Sequence, residues 1–203
     1  MTDLQTIKAT IKFYLDHQMR YPRLFFGMLL THPFAILFLR FLPALIIADI
    51  LHRLSTQDFT KGDLWGSFGS NLLLVIGLEA LGGIILWRIV IYFNWKLEGL
   101  VIRDINRQVF AHLIKLSASF HANHFGGSLV SQTSKLANSY TRFTDVTVFQ
   151  LIGLIWALVF TSILLARKAP IFVLSLIVFA IVYIACAVLV TRKVRKLNAN
   201  EAE

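Results

Sequence analysis

PIFVLSLIVFAIVYIACAVLV, residues 170–190, runs for twenty-one positions without one charged side chain. A helix of that length is about 32 Å long, and the hydrocarbon core of a bilayer is about 30 Å thick. To hide the same segment from water, a soluble fold would have to wrap it on every side. A chain of 203 residues that is 57% hydrophobic and only 15% charged lacks the polar surface for that. Residues 170–191 therefore read as a spanning helix, with lipid as the solvent. The net charge of +9 is read in the same light, because the basic residues flank apolar runs instead of forming a soluble basic face. Nucleic acid is excluded as a partner on this ground, and membrane lipid is implied.

Immediately before this segment, Arg167-Lys168-Ala169 makes a tight polar hairpin, and residues 143–166 form another span whose apolar part starts at Val146. Upstream of it an amphipathic stretch begins at Ser128, after the break at Gly126-Gly127. Further back, a span over 71–95 continues without proline into a pattern recurring every three or four residues: Ile102, Ile105, Val109, Leu113, Leu116 and Phe120. One helix from Leu72 to Phe120 would be about 74 Å long, more than twice what the bilayer core needs. Roughly half of it is expected to project into water as a stalk.

The first span covers 24–52, interrupted by Thr31, His32, Arg40 and Asp49 and bent at Pro33 and Pro43. Residues His52 to Gly69 read as an exposed loop with Gly62, Gly66 and Gly69. Gly82-Gly83, inside the second span, reads as close helix packing. Ahead of the first span, Leu4, Ile7, Ile11 and Leu15 alternate with Lys8, Lys12 and Asp16 over residues 3–18, the pattern of a helix lying in the membrane interface. The start of the chain has no short apolar core with a cleavage site, so no signal peptide is expected. The fold class is an all-α membrane protein with four long transmembrane helices, cytoplasmic extensions and a preceding interfacial helix.

Lysines and arginines set the orientation. With both termini in the cytoplasm, fourteen of the twenty lie inside and four outside (Arg53, Lys61, Arg167, Lys168), while Arg40 and Arg88 lie within spans. The expected location is a cell (inner) membrane, with the stalk cytoplasmic.

Soluble-type catalytic motifs are missing. There is no G-x-x-x-x-G-K-[ST] loop to cradle nucleotide phosphates. Cys186 is the single cysteine, and His112, His121 and His124 have no neighbouring carboxylate or thiol to complete a zinc site. Asp58 and Asp63 are the only close aspartates beyond the N-terminal helix and lie in the expected loop. No catalytic, cofactor or metal residues are expected in this chain. Intramembrane charge is more informative, because its burial is costly and calls for a partner. By helical rise, Arg40 and Glu79 lie about 18 Å and about 13 Å from the outer ends of their spans. They are expected to pair or to line a polar path; the alternative is that Arg40 snorkels to the interface.

Taken in order, these features resemble the transmembrane domain of ABC exporters (the type-1, or type IV, fold). The best-matching segment is Arg103-Asp104-Ile105-Asn106-Arg107-Gln108-Val109-Phe110-Ala111-His112-Leu113-Ile114-Lys115-Leu116, then Ser119-Phe120-His121. It is similar to the family's basic residue, "lf-x-hl-x-x-l" and Ser-Phe pair. Phe125-Gly126-Gly127-Ser128-Leu129-Val130-Ser131-Gln132 resembles the following "x-x-G-x-l-x-s-r", with Gln132 where arginine is common; Asn138 lies near a frequent aspartate. The resemblance implies that residues 1–203 are the N-terminal part of such a domain, with residues 3–18 as the elbow helix. It also implies that Phe120, His121, Ala122, Asn123, His124 and Phe125 form a coupling helix docking on an ATP-binding domain. Relatives have six spans per half, so four imply a fragment, a truncated gene or half of a split subunit. No nucleotide-binding domain is present, and the resemblance places ATP and Mg²⁺ on a missing or partner domain, with a second transmembrane half completing a dimer. The rival reading is a stand-alone four-span protein, a small secondary transporter or assembly factor; a membrane-embedded enzyme would need clustered acids in the spans.

Overall fold

A computed structural model of the chain describes residues 3–60, 62–117 and 126–200, with side chains described over 5–60, 62–117 and 127–190. Helix α1 covers Asp3–Gln18 and α2 covers Pro22–Ile36; a π-helical turn, Leu37–Phe41, joins α2 to α3, Leu42–Ser55. Helix α4, Leu64–Glu79, passes through a second π-helical segment, Ala80–Leu86, into α5, Trp87–Ile114. Then follow α6 (Gly126–Asp145), a third π-helical segment (Val146–Ile152), α7 (Gly153–Leu165) and α8 (Pro170–Asn200). The described residues contain no strand. Among the described residues four stretches are long and apolar enough to cross a membrane: Pro22–Ser55, Leu64–Ile114, Gly127–Leu165 and Pro170–Val190. The all-α membrane architecture read from the sequence is the one observed.

Two boundaries differ from the sequence reading. The exposed loop expected over His52 to Gly69 is shorter, because α3 continues to Ser55 and α4 already starts at Leu64. Asp63 is the reason at the second end. Its Oδ1 accepts the Gly66 N–H at 2.7 Å, satisfying a backbone donor that a helix start leaves open, and its carbonyl also accepts from Ser67 Oγ at 2.8 Å. The glycines read as loop signals are tolerated inside the capped turn, where Gly69 leaves room for the Trp65 ring; a Cβ there would lie 3.1 Å from the indole. At the other end, the continuous helix expected to reach Phe120 stops at Ile114. The Lys115 and Leu116 amides donate to His112 and Leu113 carbonyls at 3.1 Å each, a tightened last turn instead of a further α-turn.

The first span is interrupted where proline dictates. Pro33 lies inside α2 and Pro43 in the first turn of α3, and between them the Leu42 N–H reaches back five residues to the Leu37 carbonyl. The second span has a matching irregularity, with the Trp87 N–H donating to Gly82 O. The two π-helical segments meet. A Cβ built on Gly82 would lie 2.8 Å from Leu39 N and 3.0 Å from the Phe38 carbonyl carbon, so the backbones touch with no side chain between them.

The chain divides into two compact units, Met1–Trp156 and Ala157–Glu203. In the first, the core is a stripe on α5: Val90, Leu97, Val101 and Ile105 are fully buried, with Asn94 in the same row. Met28 and Ala35 of α2 and Tyr14, Tyr140 and Val148 belong to the same cluster. The burial of Ile105 shows that the apolar seam of span two continues well into the stalk. The second unit contains the Leu165–Pro170 turn, closed by Ala169 N–H to Leu165 O at 2.8 Å. Along α8, Ile171, Leu174, Phe179, Ile184 and Leu189 are all more than half exposed, as a lipid-facing helix requires.

Candidate functional site

Two groups of polar side chains are positioned by this fold. The first lies where the end of α1 meets the stalks α5 and α6. Tyr14, His17 and Gln18 are buried on one side of α1, whereas Ile7, Ile11, Leu15 and Met19 remain 38–48% exposed. Tyr14 packs edge-on against Tyr140, ring centres 5.3 Å apart, and its hydroxyl donates to Leu136 O at 3.4 Å. Burial raises the Tyr14 phenol above its ordinary pKa. His17 Nδ1 donates to the Phe13 carbonyl at 2.8 Å, and Nε2 lies 2.9 Å from the Gln108 side-chain amide. A neutral ring with its proton on Nδ1 accepts from that amide in one of its two orientations. Gln18 Nε2 donates to Tyr140 OH at 3.2 Å and to Thr144 Oγ1 at 3.4 Å. One turn on, Tyr21 OH donates to Asp104 Oδ2 at 2.7 Å, while Arg103 donates to Tyr21 OH at 3.2 Å and pairs with Asp104 Oδ1 at 3.5 Å. The elbow segment is thus tied to the span-two stalk through His17 and Tyr21 and to the span-three stalk through Tyr14 and Gln18.

The second group lies between spans. His32 is 1% exposed and Asn94 fully buried, and among the described residues none of their four side-chain nitrogen and oxygen atoms has a hydrogen-bond partner. His32 lies against Trp87, ring centres 6.1 Å apart, and against Gly153, where a Cβ would be 3.8 Å from its Cε1. An unpaired buried polar group costs about 1–3 kcal/mol.

Arg40 lies in the first π-helical turn and Glu79 at the end of α4. Both are exposed, and among the described residues neither makes an ion pair or a hydrogen bond, so they are not brought together. They flank the Leu39–Gly82 contact. His112 is in the last turn of α5. Phe120, His121, Ala122, Asn123, His124 and Phe125, the expected coupling segment, lie outside the described residues. The elbow network escapes sequence reading because hydrogen-bond partners more than eighty residues apart leave no local pattern. Asn94 did leave a signal, a polar residue at the spacing of the buried Val90-Leu97-Val101 row.

A helix precedes the first span, and the second and third spans lie within helices of 51 and 39 residues, Leu64–Ile114 and Gly127–Leu165. No curated protein and no solved structure matches the chain. The family described as the ABC transporter transmembrane region matches residues 24–203, and the chain belongs to that family.

Proposed function

We propose that the chain is the substrate-translocating membrane part of an ATP-driven exporter, driven by an ATP-binding domain or subunit that docks at residues 120–125. The observation that carries this reading is the helix Leu64–Ile114, 51 residues, about 76 Å by helical rise. Only a helix that leaves the bilayer and keeps a packed seam as far as Ile105 can pass a cytoplasmic displacement to the membrane. With no phosphate-binding loop among residues 1–203, ATP and Mg²⁺ are assigned to an ATP-binding domain or subunit outside them. A second transmembrane half completes the path, and both termini are cytoplasmic in the membrane of the cell. Arg40 and Glu79, unpaired among the described residues, are assigned to the surface facing that path, since a charge left in hydrocarbon is costly.

The test is a photo-crosslinking side chain at His124 in native membranes, followed by labelling with azido-ATP. A crosslinked product that carries the nucleotide label supports the docking. Crosslinks only to lipid or to proteins without the label favour the stand-alone four-span reading.

A further inference from the structure

We propose that the cleft between the end of α1 and the span-two stalk binds the phosphate of an anionic lipid headgroup, gripped by Arg20 and Arg107. The cleft holds about 440 Å³ and is lined by Arg20, Asp104, Arg107 and Gln108. A carboxylate in such a place would repel an anion, but Asp104 is already engaged. Tyr21 OH donates to one oxygen and Arg103 pairs with the other. That leaves two guanidinium groups over. Among the described residues neither the Arg20 nor the Arg107 guanidinium makes a hydrogen bond or an ion pair, although Arg20 lies within Coulombic range of Asp104. A guanidinium presents five donors in a planar fork that matches phosphate oxygens, so two of them across one cleft form a phosphate clamp. Gln108 lines the same cleft, its side-chain amide held against His17 Nε2 at 2.9 Å.

The surrounding surface points to lipid as the source. Ile7, Ile11, Leu15 and Met19 form an exposed apolar stripe on the helix that carries Arg20, and Phe26 at the start of the first span is 49% exposed. A helix with that stripe seats itself at the acyl boundary, the depth at which lipid phosphates lie, and basic pockets between helices there select anionic headgroups. Lys8 and Lys12 are exposed on the same helix but do not line this cleft, which makes them the control. The proposed topology enters only in choosing the cytoplasmic leaflet; phosphate binding is read independently of transport.

The experiment titrates the purified, delipidated full chain in detergent with phosphatidylglycerol, phosphatidylcholine or glycerol 3-phosphate, following bound ligand by native mass spectrometry. Phosphatidylglycerol is expected to bind the unaltered chain, and R20Q/R107Q to weaken it between about tenfold and thirtyfold. K8Q/K12Q, with the same loss of charge, should bind as the unaltered chain does. If R20Q/R107Q does not fold, R20K/R107K keeps the charge while removing the fork and should still weaken binding severalfold. Equal losses in the two glutamine variants, or no loss in either arginine variant, overturn the site. Equal affinity for glycerol 3-phosphate would retain the phosphate clamp and overturn lipid as its source.

Discussion

Gly82 lies so close to Leu39 that a methyl group on it would sit 2.8 Å from the Leu39 amide nitrogen. The neighbour is backbone, so no side-chain rotation can relieve the overlap. Gly82→Ala should therefore separate the first two spans and lower stability by about 1–3 kcal/mol. Gly77→Ala, where nothing lies within 4 Å of the new methyl, should be neutral or slightly stabilising. Thermal unfolding of both variants in mild detergent checks the contrast; equal melting temperatures would remove the contact from the account.

Gln18 shares its amide between Tyr140 and Thr144, across more than a hundred residues. Tyr140→Phe keeps the ring against Tyr14 but removes the acceptor, and should cost about 1 kcal/mol. A double-mutant cycle with Gln18→Ala should show the two losses to be less than additive. Hydrogen exchange over α1 reads the local effect: faster exchange in either variant is expected, while unchanged protection would mean that the helix is held by its apolar contacts alone.

The Tyr21 hydroxyl bonds an ionised carboxylate, a stronger contact than one between neutral groups. Tyr21→Phe should destabilise the junction by about 1–2 kcal/mol, discounted for the partial exposure of the site. Asp104→Asn in the Tyr21→Phe background should then add little. Lowering pH until Asp104 is protonated should reduce the Tyr21→Phe effect, and a pH-independent loss would point to packing instead.

Among the described residues the polar atoms of His32 and Asn94 have no hydrogen-bond partners, so the usual penalty for removing a polar group is reversed. Asn94→Leu, of similar volume, should leave stability unchanged or raise it by about 1–3 kcal/mol. A marked loss in thermal unfolding would show that a hydrogen-bonding partner occupies the interior. Transport that falls while stability rises would assign Asn94 to the mechanism.

Periodicity made the spans and the stalk legible because each is a local property of one helix. The uncharged run of residues 170–190 and the spacing through Ile105 needed no knowledge of a neighbour. Gly82 was also legible, since adjacent glycines in an apolar helix invite close packing. The start of α4 was not, because a single carboxylate, Asp63, overrides the flexibility that Gly62 and Gly66 suggest. Whether Arg40 and Glu79 face one another was not legible, for another reason. Helical rise gives depth but not azimuth, so residues at similar depth need not face one another. The elbow contacts of His17, Gln18 and Tyr21 depend on which stalks converge, which is set by the assembled fold.

An ATP-driven partner can reach the stalks and their connection only if these lie in the cytoplasm. Single-cysteine labelling in intact cells tests it most directly, on a Cys186→Ala background with reporters at Lys61, His124 and Lys168. Positions 61 and 168 should label from outside, and position 124 only after the membrane is permeabilised. Labelling of position 124 from outside would contradict the account and remove the exporter reading with it.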